Sequence, residues 1–477
     1  MNNHQSSDDL QCPEGTYLYL ELLKQASWQL RKLSPKIDCL ISFYKNRRRL
    51  LTWYTDLLSQ SQTQTIVVHR LGAPRTIVTA NPANVEYILK TNFPNFPKGK
   101  PFTDLLGDFL GLGIFNSDGD TWRAQRKLAS HAFSARSLRT FSAEILRDEI
   151  QTRLIPTLDC AATSDAVVDM QEILKQFAFD AVFRVSLGAD PPPTALAAAF
   201  DAASEISAAR GAAPVYAVWK AKRMLGLGRE RELKEAVSTV RGCVEDIVRS
   251  RRENNNNNNN NETRDDSLLS RFVESGLGDD RMVRDMMISF VMAGRDTTSS
   301  AVTWLLWLLT RHREIELRVV DEVSDYDYEK FGEMKYVKAC LCESMRLYPP
   351  VAWDSKHAAE KDVLPDGTRV GKGDRVTYFP YGMGRMKRIW GEDWMEFRPE
   401  RWMEGRNVSP YEYPVFQAGP RVCLGKEMAF VQMKCVVAAI LGRFELEPVR
   451  EEVPVFVPLL TACMAGGFPV RVRRREL

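Results

Sequence analysis

Residues 380–422 are rich in glycine, proline and aromatic side chains, and follow neither the period of a helix nor that of a strand. A compact domain rarely keeps so long an irregular connection, and when it does the connection usually carries function. Here it leads into a last helix that begins at about residue 424 and ends near Gly442, which suits a C-cap. Any fold for this chain must therefore pin a long strap against the start of its final helix.

The rest of the chain reads as mostly helical. Thr65–Leu71 and Arg75–Ala80 have the texture of two strands around Gly72-Ala73-Pro74, and Asn81-Pro82 opens a helix as cap and first helical residue. Helical periodicity covers about 120–135, 140–155, 168–187, 193–208 and 229–252, then a long run at 280–312 and another at 334–347. The asparagines 254–261 cannot build a core and are expected to form a solvated loop. Short strands with turns at Asp366-Gly367, Gly371 and Gly373 occupy 358–379, and strand-like pieces close the chain. The expected fold class is mainly α with a small β portion.

Composition excludes several functions. A net charge of +3 on 477 residues gives no electrostatic case for nucleic acid. The nine cysteines are odd in number and irregularly spaced with no C-x-x-C pair, and the five histidines form no H-x-x-x-H pair. No run of 18 apolar residues is present to read as a membrane-crossing helix. In residues 1–38, Leu18, Leu22, Leu23, Ala26, Leu30 and Leu33 share one helical face near Lys24, Arg31 and Lys32, which fits either a helix lying on a membrane surface or one packed on the protein.

The strongest chemical signal is Phe416-Gln417-Ala418-Gly419-Pro420-Arg421-Val422-Cys423-Leu424-Gly425. Cys423 stands just before a helix, where backbone N–H groups and the positive dipole end favour a thiolate. Gly419 and Gly425 permit close backbone approach, as a flat cofactor lying over the loop requires. Phe416 is placed to shield the sulfur and Arg421 to supply a cation. A buried free cysteine is the plain alternative, and it is the reading for Cys340, Cys342, Cys435 and Cys463. In the long helix, Ala293-Gly294-Arg295-Asp296-Thr297 puts a costly glycine mid-helix. Either a neighbouring helix packs there or Ala293 and Gly294 leave room for a small molecule. Thr297 can bond back to the carbonyl four residues earlier and open the helix locally, and Asp296 can relay protons.

The decapeptide resembles the F-x-x-G-x-R-x-C-x-G haem-binding loop of the cytochromes P450 at every defined position. The resemblance implies a cytochrome P450 fold with haem b held between the long central helix and the cysteine loop, and Cys423 as iron ligand. Ala293–Thr297 is similar to the family's A-G-x-[DE]-T motif, which implies catalytic roles for Asp296 and Thr297 in proton delivery during oxygen activation, beside a cofactor touched by Ala293 and Gly294. Glu343, Arg346 and Arg401 resemble the family's structural triad. Trp122, Arg126, His357 and Arg421 stand where family members meet the haem propionates.

The resemblance runs from about Cys39 to the C-terminus, so 39–477 is expected to be one catalytic domain and 1–38 an atypical segment. Its texture is that of the plant fatty-acid ω-hydroxylases, nearest the subgroup acting on fatty acids and jasmonoyl-isoleucine. This implies RH + O2 + NADPH + H+ → ROH + H2O + NADP+, an apolar substrate bearing a carboxylate, and a monomer served by NADPH–cytochrome reductase at the cytosolic face of the endoplasmic reticulum. Lys127, Arg385, Lys387, Arg388, Lys426 and Lys434 are expected to face that reductase. The loop with Phe102, Leu106, Phe109 and Leu110, the turn Val351-Ala352-Trp353, and Leu459-Leu460 are expected to line the substrate pocket, with core packing as the alternative. Residues 1–38 lack the family's apolar anchor and proline-rich hinge, for which a mispredicted first exon is the first explanation and a soluble form the second. The stretch between Val323 and Lys335 is short for the family. Two other functions stay open: an O2-independent haem-thiolate isomerase or dehydratase acting on lipid hydroperoxides, and a non-catalytic haem-binding product.

Overall fold

Asp279 starts the helix that organises the molecule: its carboxylate accepts from the Met282 backbone N–H at 2.8 Å, capping an end that would otherwise leave donors unsatisfied. The helix runs unbroken from Asp280 to Arg311, 32 residues or about 48 Å at 1.5 Å per residue. The structure is a computed structural model, and it describes residues 42–476 apart from 70–73, 135, 192–194, 213–215, 257–265, 277 and 325–333. The amphipathic segment at 18–33, the Gly72-Ala73 turn, Cys12, Cys39, most of the asparagine run and the stretch after Ser324 lie outside the described residues.

Five helices matter to the site: α1 (Gly119–Ser134), α2 (Met170–Leu187), α3 (Asp280–Arg311), α4 (Lys335–Leu347) and α5 (Lys426–Leu441). The N-terminal half of α3, from Val283 to Val291, is buried in one apolar cluster with α1 and α2. Its C-terminal half, from Ala301 to Leu309, is buried in a second with α4 and α5. Ala293, Gly294, Asp296 and Thr297 lie between the two and are only half-buried. Two apolar halves anchored in different cores thus meet at a polar, small-residue segment.

A third cluster surrounds a four-stranded sheet. Its strands are β1 (Thr65–Val68), β2 (Thr76–Thr79), β3 (Asp354–His357) and β4 (Arg375–Tyr378), in the order β1-β2-β4-β3. Thr76 pairs with Arg375 in the parallel β2–β4 ladder, and Asp354 with Tyr378 in the antiparallel β3–β4 ladder. Among the described residues helix dominates, as expected, and the cap at Asn81 forms as read, accepting from Ala83 N at 3.0 Å.

Three local expectations change. The loop carrying Phe102 and Leu106 is a helix, Lys100–Leu110; Pro101 occupies its first turn, where its missing N–H is harmless. Helical path continues past the expected end at 155, because Ile150–Leu154 forms a π turn that lets Pro156 enter a new first turn in Ile155–Ser164. The helix beginning at Arg229 extends into the asparagines as far as Asn256. The strap at 380–422 is not bare coil: it holds short helical turns at Pro380–Met383, Lys387–Trp390, Pro399–Trp402, Pro414–Phe416 and Gly419–Arg421.

Candidate active site

The strap is held by one buried carboxylate on α4. Glu343 Oε1 accepts from Arg346 Nη2 at 2.8 Å, Arg401 Nε at 2.8 Å and the Arg398 backbone at 3.0 Å. Its Oε2 accepts from Arg346 Nε at 2.8 Å and Trp402 Nε1 at 2.9 Å. Arg346 then reaches the carbonyls of Gly384, Trp394 and Glu396. Glu343 and Arg346 have no solvent exposure. Every charge and lone pair here is partnered, the condition under which buried ions are tolerated.

The cysteine loop closes on itself through a 2.8 Å bond from Cys423 N to the Phe416 carbonyl. Gly419 has φ +63°, and a Cβ there would lie 2.0 Å from the Leu89 carbonyl oxygen, so glycine is required. The Phe416 ring packs on Phe430 of α5 at 5.2 Å. Cys423 is exposed while Cys340, Cys342 and Cys435 are buried free thiols and Cys463 is partly buried. The helix itself begins only at Lys426, so Cys423 sits in the loop rather than in the first turn. Surrounding protein pushes its thiol up, against the pull of the Gly425 N–H, Arg126 and Lys426.

Three of the four expected edge residues gather beside this loop. Arg126 donates to the Val422 carbonyl. Arg421 bonds Asp118 at 2.7 Å and the Ser117 carbonyl at 2.8 Å, with its guanidinium 4.4 Å from the Trp122 ring centre. Its Nε is buried with no partner among the described residues. His357 belongs to the same neighbourhood through residues 97–99, but not as a cation. Burial pushes it below its ordinary value, and its Nδ1 lies 2.6 Å from the Lys98 carbonyl. A carbonyl only accepts, so Nδ1 carries the proton, and the neutral ring presents an acceptor at Nε2.

A second buried carboxylate was not legible in the sequence. Asp354 Oδ1 accepts from Lys98 Nζ at 2.6 Å and the Ser355 backbone at 2.8 Å. Its Oδ2 accepts from Lys356 Nζ, the Tyr378 hydroxyl and Gln417 Nε2, each at 2.9 Å. Burial alone would raise Asp354, yet Lys356 and Lys98 hold it well below the ordinary carboxylate range. Burial brings Lys356 down to about 7 against the opposing pull of Asp354, with Lys98 and Arg421 adding to the fall. The sequence offered only four consecutive polar residues, Asp-Ser-Lys-His, and the fold buries all four in β3.

On α3, Thr297 Oγ1 donates to the Ala293 carbonyl at 2.6 Å, as expected, but the helix does not open there. Asp296 Oδ1 is buried without a hydrogen-bond partner, 3.7 Å from Arg295 Nε. Burial raises its carboxyl, and Arg295 partly offsets this. Gly294 faces α2, where a Cβ would lie 2.5 Å from Val182 Cγ2. The packing alternative therefore accounts for this glycine.

Two groups of expected surface or pocket residues are corrected. Arg385 is turned inward, donating to the Leu347 carbonyl and lying 3.7 Å from the Tyr381 ring centre, and Lys434 is buried. Lys127, Lys387, Arg388 and Lys426 remain exposed. Phe109 and Leu110 have no exposed surface, and Phe109 packs on Phe200 at 5.8 Å, so they are core rather than pocket lining. Ala352 is likewise in the core, whereas Leu459 is exposed. Among the described residues no helix is long and apolar enough to cross a membrane.

The family model for cytochrome P450 matches residues 50–462. Cytochromes P450 94B1 and 94B3 of Arabidopsis thaliana are each 58% identical, over 92% and 93% of this chain and 90% and 91% of those proteins. Cytochrome P450 94A1 of Vicia sativa is 44% identical over 94% of this chain and 91% of its own length. The chain belongs to the cytochrome P450 family of haem-thiolate monooxygenases, an oxidoreductase family whose cofactor is haem b.

Proposed function

We propose that the protein hydroxylates the terminal carbon of a fatty acid or of jasmonoyl-isoleucine, using O2 and NADPH, with Cys423 as the iron ligand. The carrying observation is the exposed Cys423 on a loop tied down at Phe416, Gln417 and Gly419, flanked by Arg126 and Arg421. The donor set fits haem b. Lys98, Lys356, Arg421 and Arg126 outnumber the carboxylates Asp118 and Asp354 in this cluster, which suits two propionates, and the orphaned Arg421 Nε is one donor in need of an acceptor. Trp122 and Arg126, one turn apart on α1, belong to the same edge. His357 joins it as a donor only when a bound anion draws a proton onto Nε2. Phe416, in the loop itself, packs on Phe430 of α5.

Bound haem supplies the oxygen activation and C–H oxidation. The chain's part is to hold protons. Asp296, raised by burial, retains its proton nearer neutrality than an exposed aspartate and so can give one up in the site. Thr297 spends its hydroxyl proton on Ala293 and keeps lone pairs to accept another. This relay favours a monooxygenase over an isomerase that needs no proton delivery. The family generally takes electrons from NADPH–cytochrome P450 reductase; exposed Lys127, Lys387, Arg388 and Lys426 support such docking, at the cytosolic face of the endoplasmic reticulum, by a single catalytic domain spanning 39–477.

The test is spectral and then catalytic. Reduction under carbon monoxide should shift the Soret band far to the red, and Cys423→Ser should abolish that shift. Reconstitution with the reductase should then turn over lauric acid or jasmonoyl-isoleucine. Absence of haem uptake would overturn the proposal at its root, whereas failure on both substrates would overturn the substrate assignment only.

A further inference from the structure

Gln417 is one of only three non-glycine residues at positive φ among those described, and it lies in the cysteine loop. Its φ of 59° and ψ of −175° fall in a region that side-chain-bearing residues rarely occupy and that persists only where the surroundings over-determine it. The restraint is its side chain. Nε2 donates to Asp354 Oδ2 at 2.9 Å, and Oε1 lies 2.8 Å from the Tyr378 hydroxyl, whose one proton it shares with Asp354 Oδ2. Both partners belong to paired strands, β3 and β4, so the loop is pinned to the sheet through one amide.

Asp354 is the centre of that pin. Its five donors come from the turn at Lys98, from β3 itself, from β4 and from the cysteine loop. A second link runs in parallel: Asp118 accepts from the Lys98 and Gly99 backbones at 3.0 and 2.9 Å and from Arg421 at 2.7 Å. The Glu343 cluster holds the strap at Gly384–Trp402, well before the loop. It does not reach the loop itself; Asp354 does, six residues before Cys423.

We propose that Asp354, acting through Gln417, is a positioning residue that fixes where Cys423 presents its sulfur. This rests on Cys423 being the iron ligand. Loss of the Gln417 amide would free the loop from the sheet and widen the positions it can take, and the thiolate would then be lost as ligand more readily while the fold stayed intact.

The test compares the wild-type holoenzyme with Gln417→Gly, Asp354→Asn and Cys423→Ser. Glycine accepts the positive φ without strain, so Gln417→Gly removes the link and leaves Asp354 with its lysines and Tyr378. Two quantities are read: haem content, and the lifetime of the red-shifted carbon monoxide band. In Gln417→Gly we expect wild-type haem content and a thermal midpoint little changed, with the band decaying roughly tenfold faster, the scale of losing a hydrogen bond to a charged group. Asp354→Asn should decay at least as fast; if it fails to fold, Gln417→Gly alone decides. Wild-type lifetimes in Gln417→Gly would overturn the proposal, leaving Asp354 a purely structural ion. A wild-type protein that binds haem but shows no red-shifted band, with Cys423→Ser identical to it, would overturn the ligand assignment beneath it.

Discussion

Glu343 on α4 and Arg401 in the strap, 58 residues apart, meet in a 2.8 Å hydrogen bond with both side chains out of solvent. One carboxylate thereby decides where a long, irregular segment lies. Replacing it with glutamine keeps the shape but strands Arg346 without a counter-charge and leaves Arg401 only Asp393. Glu343→Gln should cost about 3–5 kcal/mol, read by chemical denaturation. A loss under about 1 kcal/mol would show that the arginines are held by the carbonyls alone.

Proton supply from α3 can be tested at one atom. Asp296→Asn removes the raised carboxyl but keeps its size, and should lower kcat by about 100-fold, within the range for a positioned acid. Substrate affinity should change little. An unchanged kcat would remove Asp296 from the relay.

The pH dependence of stability has a sign set by Lys356. Its folded value, lowered by burial from 10.5 to about 7, lies below its unfolded one. Between those values the unfolded chain binds a proton that the folded chain does not, so this group's effect favours folding more as pH rises from 7 towards 10. Wild type measured against Lys356→Met should therefore gain stability over that window and hold a constant difference below it. A difference that falls with rising pH would contradict the burial of this lysine.

Gly294 offers a packing test. Gly294→Ala drives a methyl to within 2.5 Å of Val182 Cγ2 and should destabilise by about 1–3 kcal/mol. Val182→Ala in the same chain should restore most of that loss. Additive single and double variants in denaturation would place the constraint elsewhere.

What the sequence determined by itself was whatever repeats within a few residues or sits in one continuous motif. The α3 periodicity, the Asn81 cap, the β1 and β2 strands and the loop around Cys423 are of this kind, because a helix or strand pairs its own near neighbours and a local pattern records that. Glu343 and Arg346 share a helix face three residues apart, but Arg401 could be grouped with them only through family resemblance, since nothing local says that it meets them. Tertiary structure alone decided the rest. Asp354 drew no reading from the sequence, yet it is buried with Lys98, 256 positions away, and Gln417, 63 positions away. Arg385 and Lys434 read as surface cations and turned inward, and Gly294 faced α2. Burial of a charge depends on which distant donors converge on it, and a carboxylate with five of them is stable where one with none would be expelled. That convergence is a property of the packed chain, and the loop that carries Cys423 is positioned by it.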